Sequence, residues 1–271
     1  MKFGICNEIF AGWELEQTMA YVKNAGYHAL EIAPFTIAPY VTEVPQEKRM
    51  EIRFTAETLG LNISGIHWVL AQTEGMHLTH PDEAVRQRTA KYLVELVDFC
   101  ADIGGEFMVV GSPKQRDIMP GVMKDAAWQF ARWVFRDAVI RAGERNVTIC
   151  LEPLAPEETN FINTAEEAIR FTEQFNSPNF KIVLDVKAMG SDRRSFPTQI
   201  KEAWPYFAYF HANDINLKGP GFGSVDFKPI ANALKQVGYN GYVSVEVFKF
   251  DEGPEEIATR SLQTLKAAFG V

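Results

Sequence analysis

Four short apolar runs in this chain each close on an ionisable residue: CLE on Glu152, VLD on Asp185, YFH on His211 and SVE on Glu246. The intervals between these residues are 33, 26 and 35 positions, each the length of one strand-plus-helix unit. If the runs are neighbouring strands of a closed parallel sheet, three carboxylates and one imidazole converge on one point. Carboxylates crowded in that way repel, and some must stay protonated unless a cation joins them. Three oxygen donors and one nitrogen suit Mn²⁺, Mg²⁺ or Co²⁺ at least as well as Zn²⁺. A structural zinc site is not expected, because Cys6, Cys100 and Cys150 form no ligand pair of suitable spacing.

The elements that must position these residues are visible as an alternation. Strand runs start at Lys2 (KFGIC), Ala29 (ALEIA), Ile63 (ISGIHW), Phe107 (FMVVG), Val147 (VTICLE), Lys181 (KIVLD), Tyr206 (YFAYFH) and Tyr242 (YVSVEVF). Several are apolar almost throughout, as parallel strands covered by helices are. Helical patterns lie between them. One runs from Trp13 to Gly26, and one ends on glycine after Ile103. Another opens at Thr164 with Glu167 three residues on, as a capping box does; two more cover residues 227–238 and 254–269. Eight such units in 271 residues predict a single (β/α)₈ barrel over residues 1–271 rather than a doubly wound open sheet. In that barrel, chemistry sits at the C-terminal ends of the strands, which is where the four residues fall. The proline-dotted stretch Ala33 to Pro45 reads as a loop on the same face.

Composition narrows the partners. The net charge of −8 disfavours a nucleic-acid partner, since an acidic surface repels phosphate. No apolar run reaches the length of a membrane span, and the N-terminal residues lack the pattern of a signal peptide. Three cysteines without regular spacing suggest reduced, buried thiols and a cytoplasmic location.

The segments LEPLAPEETNFINT, VLDVKAM, FHANDINLKGPGFGSVDF and GYNGYVSVEVF resemble the sugar isomerase/epimerase superfamily with the xylose-isomerase-like barrel. Ketose 3-epimerases, inosose isomerases and dehydratases, and endonuclease IV belong to it. The resemblance covers nearly the whole chain and is densest from Cys150 to Phe250. It implies that Glu152, Asp185, His211 and Glu246 hold one divalent metal, with Mn²⁺ favoured and Mg²⁺, Co²⁺ or Zn²⁺ as alternatives. It also implies that Glu152 and Glu246 serve as the acid/base pair and that Glu158, six residues after the first glutamate, contacts a sugar-like substrate. Barrels of this kind are often dimers or tetramers, so a homo-oligomer is an expectation. The chain departs from the ketose epimerase pattern at Ala188, where a substrate-binding histidine is usual, and at Ala155 and Pro156. The extra histidines of a three-metal nuclease site are missing.

With such a site, a keto-sugar or related polyol-ketone could be isomerised or epimerised through a metal-stabilised enediolate. A dehydratase acting on an inosose-like substrate is the alternative that the same residues support. Further candidates for substrate contact are His67, at the end of the third strand, Lys187, beside the metal aspartate, and Arg116, in the loop GSPKQRD. Lys114 and Arg116 could hold a phosphate or carboxylate. Glu31 is a candidate for binding a hydroxyl or orienting another side chain, and Trp68 for walling a sugar pocket. The histidines of HLTH, His77 and His80, are expected to be solvated loop residues.

Overall fold

A computed structural model describes residues 1–271. Its eight strands are β1 (Lys2–Cys6), β2 (Ala29–Ile32), β3 (Asn62–Ile66), β4 (Phe107–Val110), β5 (Thr148–Leu151), β6 (Phe180–Asp185), β7 (Phe207–Ala212) and β8 (Tyr242–Val245). All pair in parallel in chain order, and β8 returns to β1, with Phe3 opposite Val243, to close the barrel. The closed barrel implied by the eight apolar runs is therefore the architecture formed.

Nine helices surround it: α1 (Leu15–Ala25), α2 (Gln46–Leu59), α3 (Glu83–Asp102), α4 (Lys124–Arg145), α5 (Ala165–Glu173), α6 (Val186–Met189), α7 (Phe196–Ala203), α8 (Phe227–Gln236) and α9 (Pro254–Phe269). The ends follow local chemistry. Gly26 stops α1 in the left-handed region at φ 98°, where a side chain would be strained. At α5 the backbone N–H of Glu167 donates to the Thr164 hydroxyl. The Glu167 carboxylate accepts from Asn163 N, one position earlier than in the usual reciprocal box. The unit after β6 holds two helices rather than one, because Asp185 caps the single turn of α6 before the chain reaches α7. No helix is long and apolar enough to cross a membrane.

Apolar side chains fill two layers. The larger lies between strands and helices; the smaller, inside the barrel, holds Ala29, Val109, Cys150, Val183, Tyr209 and Tyr242. The ring of Phe107 packs at 5.2 Å from Tyr209. This plug closes the barrel below the site, so the polar residues above it rest on a packed floor. All three cysteines are free and buried.

Candidate metal centre and substrate cleft

Glu152 lies one residue beyond β5, Asp185 ends β6, His211 is the penultimate residue of β7, and Glu246 follows β8. One ligand atom from each lies within 4.8 Å of all the others. Their side chains are buried, and the backbone makes room for them. A Cβ on Gly111, just past β4, would stand 1.8 Å from Glu152 Oε2, so only glycine leaves that carboxylate its place.

The donors fit a divalent cation by their own bonding. His211 Nδ1 and Glu246 Oε2 are 3.1 Å apart, yet they are not aligned as donor and acceptor, and each is buried without a hydrogen-bond partner. Buried polar atoms are normally paired. The other ring nitrogen, Nε2, lies 3.1 Å from Glu31 Oε1. With the ring proton on Nε2, the Nδ1 lone pair points at the carboxylates, as in a carboxylate–histidine–metal arrangement. Glu31 is itself fixed by the hydroxyl of Tyr209 at 2.9 Å. Asp185 Oδ1 accepts from Ala188 N at 2.8 Å, and Oδ2 accepts from the Asn213 amide. Trp68 Nε1 donates to Glu246 Oε1 at 2.8 Å, which leaves Oε2 toward the cluster.

The charges respond to this crowding. Burial, then Glu246 and Asp185, push the Glu152 carboxyl up to about 8. Burial and Glu246 raise Asp185, with Lys187 acting against them. Burial also disfavours charge on Glu31, but the neighbouring His211 and His67 outweigh it and bring that carboxyl down to about 2. His67 is pushed up to about 9, since Glu8 and Glu31 overcome a burial that favours the neutral ring.

A cavity of about 330 Å³ opens over the cluster, lined in part by Trp68, Glu152, Glu158, Lys187, Glu246 and Phe248. That volume lies at the lower end of the range for small-molecule sites. Trp68 and Phe248, with ring centroids 5.9 Å apart, also line a larger neighbouring cavity of about 940 Å³, together with Glu8 and Phe35. Trp68 takes a left-handed backbone conformation, φ 52°, uncommon for a bulky residue, and this conformation accompanies the indole's contact with Glu246. Lys187 Nζ pairs with Glu158 Oε1 at 2.7 Å and sits 4.0 Å from the Phe248 ring centroid.

Two residues expected to touch substrate line neither cavity. Arg116 is fully buried, and its guanidinium donates to the carbonyls of Glu152 and Val110 behind the cleft. A 3-10 turn at Pro113–Gln115 precedes it, and its side chain does not line the cavity. His67 is also fully buried, held between Glu8 (3.0 Å) and Glu31 (3.7 Å), and it lines neither cavity. Glu158 and Lys187 do face the smaller cavity, and Lys114 borders it. His77 and His80 each accept from a backbone N–H two residues on and stay apart from the cluster. Glu8, Tyr209 and Asn213 join the site without a motif in the sequence to mark them. An acid directly after the first strand's apolar run was the available signal for Glu8.

The family model described as the xylose isomerase-like TIM barrel matches residues 19–268. The D-psicose 3-epimerase of Ruminiclostridium cellulolyticum is 29% identical over 259 residues, covering 92% of this chain and 84% of that protein. The L-ribulose 3-epimerase of Methylomonas sp. is 31% identical over 234 residues, covering 86% and 78%. Among solved structures, D-psicose 3-epimerase with D-tagatose from Clostridium cellulolyticum H10 superposes with a TM-score of 0.88 at 22% identity, covering 99% of both chains. With the barrel, the family model and these relatives together, the chain belongs to the xylose isomerase-like TIM barrel family, among the sugar isomerases and epimerases.

Proposed function

We propose that this chain is a divalent-metal-dependent epimerase of a keto-sugar, working through an enediolate. The observation that carries the proposal is the pair Glu152 and Glu246: both belong to the four-donor cluster and both line the smaller cavity. A bound divalent cation would be held by Glu152, Asp185, His211 and Glu246, and would supply electrophilic stabilisation of the oxyanion. The ketose 3-epimerase relatives support a ketose as substrate and C3 as the reacting centre.

The remaining work falls to side chains. One glutamate takes the proton from the carbon beside the carbonyl, and the other returns a proton to the opposite face of the planar intermediate. Trp68 keeps Oε1 of Glu246 occupied, so that carboxylate meets its neighbours through Oε2. Glu31 holds the His211 ring. Glu158 and Lys187, paired at the cavity wall, are placed to bind hydroxyls, while Trp68 and Phe248 offer apolar ring faces that exclude water. Loss of water from the same intermediate, the alternative raised by the sequence, has no observation in its favour.

The test is deuterium wash-in. The Mn²⁺-loaded protein is incubated in D₂O with ketohexoses, ketopentoses and 3-keto-glycosides. Deuterium at the carbon beside the carbonyl, with inverted configuration, is the expected result, and it disappears in Glu246→Gln. Metal-loaded protein that exchanges no proton with any of them would sink the proposal.

A further inference from the structure

We propose that a second divalent cation binds beside the first, held by Glu8, His67 and Glu246, with Glu246 shared between the two. The inference rests on the metal reading of the first cluster and extends it. One ligand atom from each of the three residues lies within 4.8 Å of the other two. The residues come from separate elements: Glu8 from the 3-10 turn Asn7–Phe10 after β1, His67 from the end of β3, and Glu246 from the end of β8.

The bonding repeats the pattern of the first cluster. His67 Nε2 and Glu8 Oε2 are 3.0 Å apart without hydrogen-bond alignment. Both nitrogens of this fully buried imidazole lack a hydrogen-bond partner, as do both oxygens of Glu8 and Oε2 of Glu246. The nearest acceptor to His67 Nδ1, Glu31 Oε1, is 3.7 Å away, too far for a hydrogen bond. Five unpartnered buried atoms at one place are unusual in a folded protein. A cation seated among them satisfies the two carboxylates and one imidazole nitrogen at once. Two oxygens and one nitrogen leave positions open for water or substrate, as open metal sites do.

Glu8 lines the larger cavity and Glu152 the smaller one. The second cation would therefore lie between the two cavities, where its open positions take oxygen donors.

Metal stoichiometry and electron paramagnetic resonance test the proposal on full-length protein, stripped with chelator and dialysed against saturating Mn²⁺. The expected result is two Mn²⁺ per chain and an exchange-coupled spectrum from ions bridged by one carboxylate. Glu8→Gln and His67→Asn should each lower the count to one and convert the spectrum to that of isolated Mn²⁺. His67→Asn serves if Glu8→Gln does not fold, and the wild-type count needs no variant. One Mn²⁺ per chain that survives both substitutions but is lost in Asp185→Asn would overturn the second site and leave the first. It would make Glu8 and His67 a plain ion pair. No bound Mn²⁺ at all would overturn both.

Discussion

Replacing Arg116 tests whether a buried guanidinium supports the site from behind. Arg116 is fully buried and makes two hydrogen bonds, one of 2.6 Å to the carbonyl of Glu152 and one to that of Val110. Hydrogen bonds from a charged donor contribute about 1.5–3 kcal/mol each. Arg116→Met removes both, and relief of the guanidinium's desolvation returns part of the loss. The net destabilisation works out at about 3 kcal/mol. For a chain of 271 residues this lowers the melting temperature by about 6 °C. Arg116→Lys keeps the charge but loses the planar fork, so it should fall between the two, with a drop of about 3 °C. Calorimetry of the metal-free protein reads these shifts without any substrate. The Glu152 backbone is also released, so Mn²⁺ affinity should weaken in both variants. A melting temperature for Arg116→Met within 1 °C of wild type would refute the reasoning. If weaker binding of anionic substrates accompanied that unchanged stability, Arg116 would return to the cleft.

Three further outcomes follow from the geometry. Glu31→Gln removes the charge that orients His211, and metal affinity by titration should fall about 10- to 100-fold; a change below twofold would exclude that orienting role. Gly111→Ala places a Cβ where Glu152 Oε2 stands, so the barrel should keep its circular dichroism spectrum while metal affinity falls at least about tenfold; unaltered affinity would contradict the close approach. Glu152 titrates near 8 in the metal-free protein, so metal uptake at pH 7 should release its proton, and affinity should fall with acidity below about pH 8. The folded metal-free chain holds more protons than the unfolded one between the ordinary carboxyl value of 4.5 and about 8, so this group lowers stability as pH rises through that window. Calorimetric titration in buffers of different ionisation enthalpy measures the proton release, and its absence at pH 7 would count against the elevated carboxyl.

The strands were readable because a barrel strand is covered on both faces and its sequence is apolar almost end to end. The residue after such a run is then the first able to be polar, which exposed Glu152, Asp185, His211 and Glu246. Other features had no comparable signal. α4 presents Trp133 and Ile140 to the outside, which blurs its amphipathic pattern. Arg116 follows Gly-Ser-Pro and reads as a solvated loop, yet it is fully buried after a 3-10 turn. The pairing of Glu31 with His211 joins β2 to β7, which are not neighbours, so no local pattern reveals it. Trp68 acquires its contact with Glu246 in a backbone conformation that its residue type does not favour.

The Glu31–His211 contact ties ligand orientation to the closing of the ring. The four proposed ligands of the first cation lie at the ends of β5 to β8, so a fragment spanning that half of the chain would carry every donor to that ion. It would lack Glu31, the carboxylate that selects the histidine tautomer, because that residue belongs to β2. Chains emerge N-terminus first during synthesis, so Glu31 must wait, solvated, until β7 arrives opposite it. Competence for catalysis is thus a late and global event in folding. Tight metal capture would report that the last seam of the barrel has joined.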